Sequence, residues 1–385
     1  MASCITPMIR EYIDYTLEEK LAMKAKGQKQ YNRIVPRQEV ARLLTTMNPN
    51  EIRTLEEINE YNRQNHSRIR YQTIACQNCW ACRLKKSAEW ATRCICEAKE
   101  HPDSNYWITL TYNDENLPIA QSITYKHYLP INKYTQEKYI FKTIENVGDE
   151  IWGEGCLIPE DLKRFMNTLR KKFERKGHTG IKFLAAGEYG SINHRPHFHI
   201  CLFNCPLSID MFYDMHVDEN FKMTWKSEEI DQCWKKGIAQ ISELEWSNAA
   251  YTCRYTTKKI IDGTKTEEEY AKQGKIKEFI RMSNRPGIGN QYYEKHKNEI
   301  YKNDILVMKT IKGNIGSIKP PKAWDKKFME THPEAWEILK KCREQAAKRA
   351  ADLQRQLTDY TDKEMLKLNK EKILEKGKLL PRLDM

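Results

Sequence analysis

Arg195-Pro-His197-Phe-His199-Ile-Cys-Leu-Phe203 is the segment of this 385-residue chain best placed to do chemistry. It reads as a β-strand, in which side chains alternate between faces. His197 and His199 then share one face, while Phe198, Ile200 and Leu202 take the other. Two imidazoles side by side above an apolar layer make half of a metal site. An H-x-H pair alone is equally compatible with core packing. The segment Ile181–Glu188 also reads as a strand, and the turn residues Gly190, Ser191, Asn193 and Pro196 fold it back as a hairpin. That turn brings Glu188 beside His197. One carboxylate and two imidazoles leave coordination positions open on a divalent cation, Mg²⁺ or Mn²⁺.

Tyr251-Thr-Cys-Arg254-Tyr255-Thr-Thr-Lys258 lies in an expected helix near 248–260. At ~100° per residue, Tyr251, Tyr255 and Lys258 fall on one stripe. A packing face would look the same, with the lysine snorkelling to water. A tyrosine nucleophile also needs this company, because a phenol of pKa ~10 attacks poorly unless a cation or metal favours the phenolate.

Cys76, Cys79 and Cys82 have C-x2-C-x2-C spacing, which suits a structural Zn²⁺. Cys94-x-Cys96 does not complete the pattern, so reduced cysteines packed near the sheet weigh more. Arg83, Lys85, Lys86 and Arg93 flank these cysteines, and residues 60–99 hold eight Lys/Arg against three Asp/Glu. That is the composition of a DNA-facing surface, or of a solvated helix face. Arg254 is a further candidate DNA contact. Thr109 and Thr111, in Trp107-Ile-Thr-Leu-Thr-Tyr112, suit a phosphate contact or, more simply, strand formation.

These groups need a scaffold. Helices are expected over 83–99 and 160–175, and strands over 106–112, 181–188 and 197–203. A hairpin among helices, without regular βαβ spacing, favours an α+β domain built on an antiparallel sheet. Residues 1–70 read as a helical N-terminal segment, and 71–300 as the main domain, including the Cys-rich basic stretch 76–101. Residues 119–157 lack a clear period and read as an insertion or long loop. The remainder, 301–385, reads as a basic extension, helical or partly disordered; its last 46 residues hold 13 Lys/Arg against eight Asp/Glu. The net charge of +12 favours polyanionic partners. No run approaches the ~20 apolar residues of a membrane span, and the N-terminus lacks the apolar core of a signal peptide. Twelve cysteines without secretory context imply a reducing compartment.

Taken together, the hydroxyl-bearing strand, the His-x-His strand and the Tyr helix resemble, in that order, the HUH endonucleases, the superfamily of rolling-circle initiators and relaxases. Cys79-x-x-Cys82-Arg, Trp90-Ala-x-Arg93-Cys94, Thr109-Leu-Thr-Tyr112, Gly187-Glu-Tyr-Gly190, Arg195-Pro-His-Phe-His199, Ala250-Tyr251-x-x-Arg-Tyr255 and Met282-Ser-x-Arg-Pro-Gly-Ile-Gly289 resemble the replication initiators of gokushovirus-type Microviridae over roughly residues 76–290. The resemblance implies an HUH-type central antiparallel sheet flanked by helices. It also implies a metal-dependent nickase and ligase for single-stranded phage-origin DNA, with Glu188, His197 and His199 holding the metal. Tyr251 or Tyr255 would form a 5′-phosphotyrosine and leave a 3′-OH primer, with Lys258 compensating charge. Such a protein acts in the host bacterial cytoplasm with a host helicase and DNA polymerase; no Walker loop is present in this sequence to supply unwinding. A non-catalytic ssDNA- or RNA-binding protein and a plasmid initiator or relaxase are the competing expectations.

Overall fold

In a computed structural model, the chain is described over residues 7–45, 54–76, 79–118, 122–128, 139–145, 155–190, 194–217, 222–258, 270, 275–309 and 315–358, with a few positions between 360 and 375. It divides into two compact units: residues 1–85 with 322–381, and residues 86–321 with 382–385.

The first unit begins with β1 (Met8–Ile13), α1 (Leu17–Ala25), β2 (Asn32–Ile34), α2 (Arg37–Leu44), α3 (Leu55–Gln64) and β3 (Ile69–Ile74). Its helices start where local chemistry says they should. Thr16 with Glu19, and Thr54 with Glu57, form reciprocal capping boxes that satisfy backbone N–H groups left open at a helix start. The segment is nevertheless not purely helical, because the strands form an antiparallel sheet of order β2-β1-β3. Glu11 on β1 holds it together, accepting from Arg33 Nε at 2.8 Å, Arg33 Nη2 at 3.0 Å and Tyr31 Oη at 2.6 Å. Short strands with polar residues on both faces hide their period, which is why pattern reading does not find these three.

α4 (Trp80–Lys99) carries the chain into the second unit, followed by β4 (Tyr106–Tyr112). The stretch expected to be a loop instead contains β5 (Ser122–Tyr128) and β6 (Tyr139–Glu145), paired as an antiparallel hairpin. Polar residues at both parities, such as Thr124, Lys126 and His127, mask the alternation there. Next come α5 (Pro159–Glu174), β7 (Lys182–Tyr189), β8 (Pro196–Phe203), β9 (Phe212–Val217), β10 (Met223–Ser227), α6 (Glu228–Trp234), β11 (Gly237–Glu243), α7 (Trp246–Lys258) and β12 (Phe279–Met282). α8 (Asn290–Asn303) and the hairpin of β13 (Leu306–Lys309) with β14 (Ile315–Ile318) complete it. α9 (Lys322–Thr331) and α10 (Pro333–Leu357) return to the first unit, where Arg343 reaches both carboxylate oxygens of Asp325 at 2.7 and 3.0 Å. α10 has no buried residue, in keeping with its charge-rich sequence.

The second unit is organised by a seven-stranded sheet of order β12-β7-β8-β4-β11-β10-β9, with every adjacent pair antiparallel. The expected α+β class with a central antiparallel sheet is what the chain adopts. Strand alternation gives the sheet two different faces. Ile108, Leu110, Phe198, Ile200 and Leu202 pack with Leu162, Phe165, Met166, Leu169 and Phe173 of α5 and with Trp234 of α6. Full burial of each such side chain contributes about 1.5–3 kcal/mol relative to exposure. The opposite face, with Leu184, Cys201 and Phe203, is covered by Ala91 and Cys94 of α4 and by Ala249, Ala250 and Cys253 of α7. Cys94, Cys201 and Cys253 thus pack as small buried hydrophobes. No helix among the described residues is long and apolar enough to cross a membrane.

Candidate active site

β7 and β8 pair so that Glu188 lies opposite His197 and Ala186 opposite His199, while β4 places Thr109 opposite His199 and Thr111 opposite His197. All these side chains project from the face covered by α7. The two imidazoles converge on a single oxygen: His197 Nε2 lies 2.8 Å and His199 Nε2 2.7 Å from Glu188 Oε1. Tyr251, buried on α7, donates its hydroxyl to that oxygen at 3.3 Å. Glu188 and His199 are almost completely buried, at 1% and 2% exposure, whereas His197 keeps an edge toward solvent. The structure therefore brings together Glu188, His197, His199 and Tyr251.

A second ring of contacts fixes how the imidazoles point. His197 Nδ1 lies 3.0 Å from the Arg195 carbonyl, which only accepts, so Nδ1 carries a proton and donates. His199 Nδ1 lies 2.9 Å from Thr109 Oγ1. Holding each Nδ1 this way aims each Nε2 at the carboxylate, the arrangement that orients metal-binding histidines. Trp107 stacks on the His199 ring at 4.8 Å and 9°, and its own Nε1 donates to Thr252 Oγ1 at 2.9 Å. The Tyr251 ring meets His199 edge-on at 5.3 Å.

Burial is the strongest influence on the Glu188 carboxyl and would raise it, but His199 and His197 together leave it below its ordinary value. Burial likewise dominates at His199, where it outweighs the pull of Glu188 and holds the imidazole below its usual range. An ionised carboxylate beside a neutral imidazole is the protonation state that metal ligation requires. The residues present also fit a cation by geometry. The three ligand atoms lie within 4.8 Å of one another, and buried Glu188 Oε2 has no hydrogen-bond partner among the described residues. Such an orphaned oxygen costs on the order of 1–3 kcal/mol unless something binds it.

The other sequence candidates are placed as follows. Tyr255, Lys258 and Arg254 lie in α7, with side chains outside the described residues. Lys85 and Lys86 are exposed on α4 and Arg83 is half-buried. Arg93 is tied into the fold: its guanidinium lies 3.9 Å over the Trp90 ring and its Nε donates to the Ile288 carbonyl at 3.0 Å. Fully buried Glu97 anchors the same Arg285-Pro-Gly-Ile-Gly289 segment, accepting from Gly289 N at 2.7 Å and Lys182 Nζ at 2.6 Å. Gly289 has φ +74°, and a β-carbon there would meet the Arg93 carbonyl at 3.0 Å. The sequence allows Thr109 two roles, phosphate contact or strand former. The His199 contact is a third role, and the signal for it is present in the alternation of Trp107, Thr109 and Thr111 on one face. Arg195 braces the turn, donating to the Tyr112 carbonyl at 2.9 Å and to Asp114 Oδ1 at 2.6 Å. Ser191 and Asn193 lie outside the described residues.

Fold and site together define an α+β protein whose central sheet carries a candidate divalent-cation site beside a tyrosine-bearing helix. Residues 105–260 match the family model for the replication-associated protein ORF2 and its counterparts. The replication-associated protein ORF2 of Spiroplasma virus 4 is 36% identical over 313 residues, 79% of this chain and 85% of that protein. The replication-associated protein VP4 of Bdellovibrio phage phiMH2K is 24% identical over 262 residues, 68% of this chain and 69% of its own. Chlamydia phage 1 contributes a replication-associated protein, ORF4, 20% identical over 237 residues, 61% of this chain and 49% of that one. The chain belongs to this family of replication-associated proteins of small single-stranded-DNA phages. No solved structure matches it.

Proposed function

We propose that this protein initiates phage DNA replication as a site-specific nickase and ligase of single-stranded origin DNA. One observation carries the reading: the ligand atoms of Glu188, His197 and His199 lie within 4.8 Å of one another, with Tyr251 Oη 3.3 Å from Glu188 Oε1. A module that only binds DNA needs cationic and aromatic residues but no such triad. Glu188, His197 and His199 would hold Mg²⁺ or Mn²⁺, which when bound supplies Lewis-acid polarisation of the scissile phosphate.

The chain's own residues do the rest. Tyr251 Oη is the attacking group; the new O–P bond forms as the P–O3′ bond breaks, leaving a 5′-phosphotyrosine and a protonated 3′-OH able to prime synthesis. One phosphodiester replaces another, so attack by a 3′-OH reverses the step and reseals a circle without a nucleotide cofactor. Thr109 and the Arg195 carbonyl keep the imidazoles oriented while charge moves. Tyr255, one helical turn or about 6 Å further along α7, is the second nucleophile, available while Tyr251 still carries the old 5′ end. Lys258 on the same stripe compensates developing negative charge. Lys85, Lys86, Arg83 and Arg254 contact the DNA backbone, and a host helicase and polymerase complete the reaction in the host cytoplasm.

The test is incubation with labelled single-stranded origin DNA and Mg²⁺ or Mn²⁺, resolved on a denaturing gel. A covalent protein–DNA band should appear, and should be lost in His197→Ala and in the Tyr251→Phe, Tyr255→Phe double variant. DNA bound tightly but never cut with either cation would sink the nickase reading in favour of a binding module.

A further inference from the structure

We infer that Cys76, Cys79 and Cys82 form a second metal site, a thiolate site for Zn²⁺ at the junction of β3 and α4, separate in chemistry and residues from the Glu188 site. Their three sulfurs lie within 4.8 Å of one another, and the Sγ atoms of Cys76 and Cys82 are 3.9 Å apart. Tetrahedral zinc with Zn–S bonds of ~2.3 Å requires sulfurs about 3.8 Å apart. A disulfide would need ~2.05 Å, so this spacing is the one a shared ion demands.

Local backbone supports thiolates here. The N–H of Cys79 donates to Cys76 Sγ at 3.2 Å. Cys79 immediately precedes Trp80, the first residue of α4, and Cys82 sits in the first helical turn. A helix N-terminus favours negative charge and depresses thiol pKa. The Arg83 guanidinium interacts electrostatically with both Cys76 and Cys79. Three thiolates and one Zn²⁺ leave a net charge of −1, which that guanidinium balances.

Packing does not account for the convergence. Cys94, Cys201 and Cys253 are buried to 3% exposure or less in an apolar cluster, as hydrophobic cysteines are. Cys76 and Cys79 are only half-buried, on a loop whose first sulfur turns back onto the helix. A bound ion would staple the end of β3 to the start of α4, the helix that presents Lys85 and Lys86. Three thiolates leave one coordination position. The register pairs Met8 with Ile74, two residues before Cys76. Cys4 precedes Met8 by four residues, which makes it the thiol whose place in the chain suits a fourth ligand.

The experiment uses the full chain carrying His197→Ala and His199→Ala, so that the other candidate site cannot contribute. Metal analysis after purification without chelator should find about one zinc per chain. Exchange for Co²⁺ should produce thiolate-to-metal charge-transfer absorption, which a carboxylate–imidazole site cannot give because it has no sulfur. Combined Cys76→Ser, Cys79→Ser and Cys82→Ser should lower bound zinc at least tenfold and remove the band. Loss of zinc in Cys4→Ser as well would supply the fourth ligand; retention would assign that position to water with the three-thiolate site intact. A folded protein, judged by circular dichroism, with neither zinc nor the cobalt band overturns the inference. So does a mass two daltons low, which marks a disulfide, or a cobalt band unchanged in the triple variant. The cobalt spectrum of the chain with all its cysteines decides the matter even where the serine variant does not fold.

Discussion

Thr109→Val separates two accounts of one residue, because valine keeps the β-branched shape and removes only the hydroxyl. A threonine that serves merely as a strand former would be replaced without loss, since valine has at least equal β-propensity. The structure says otherwise. Thr109 Oγ1 lies 2.9 Å from His199 Nδ1, and both residues are buried, at 5% and 2% exposure. Water cannot replace the lost partner, so His199 Nδ1 is stranded at a cost of about 1–3 kcal/mol. The ring also loses the contact that aims Nε2 at Glu188. Removing the partner that orients a ligating histidine typically weakens metal binding about 10–100-fold, equivalent to ~1.4–2.7 kcal/mol. The assay is Mn²⁺ binding by calorimetry or by the free-ion spin-resonance signal, on purified full-length protein. Thr111→Val is the control, since Thr111 lies opposite His197, whose Nδ1 is held by the Arg195 backbone carbonyl that no side-chain change removes. Thr111→Val should stay within about twofold of the parent, below the range expected of a lost orienting contact. An equally small change for Thr109→Val, with the fold intact, would refute the orienting role.

Three further outcomes concern the scaffold. Glu97→Ala leaves Lys182 without its buried carboxylate partner and frees Gly289 N, so urea unfolding should register a loss of about 3–5 kcal/mol; a loss under ~1 kcal/mol would mean the pair is solvated. Gly237→Ala forces a β-carbon to within 2.2 Å of the Thr111 carbonyl oxygen at φ +148°, and should lower the urea midpoint by the equivalent of about 1–3 kcal/mol or more; an unchanged midpoint would show that the start of β11 can shift. In the first unit, the hydrogen bond from Arg33, ahead of the opposing effect of burial, holds the Glu11 carboxyl down at about 2 instead of 4.5. A depressed carboxylate stabilises fully above its unfolded pKa and loses that contribution as pH falls through the folded value. Stability should therefore decline between pH 4.5 and about 2, and Glu11→Gln should flatten that acid limb; an identical slope in the variant would place the titrating group elsewhere.

Local periodicity determined a good deal. A period of two puts His197 and His199 on one face and Phe198, Ile200 and Leu202 on the other, and a short turn returns the strand that carries Glu188. A period of 3.6, with Pro159 and acidic residues at the start, marks α5. These signals are legible because one face of each element is apolar enough to impose its repeat. Where both faces are polar, as in β1, β2, β5 and β6, the repeat vanishes and pairing between distant segments decides.

Tertiary structure alone decided the rest, since it depends on contacts between residues remote in sequence. α7 crosses the imidazole face so that Tyr251 reaches Glu188 from 63 positions away. β4 docks against β8 in the register that sets Thr109 beside His199, 90 positions distant, and so gives a strand-forming residue a hydrogen-bonding task. Arg93 has the composition of a DNA contact, but its environment joins it to Ile288, 195 positions along. Residue type and spacing announce what a side chain is able to do. The neighbour that strand register and helix docking bring to it selects what it does.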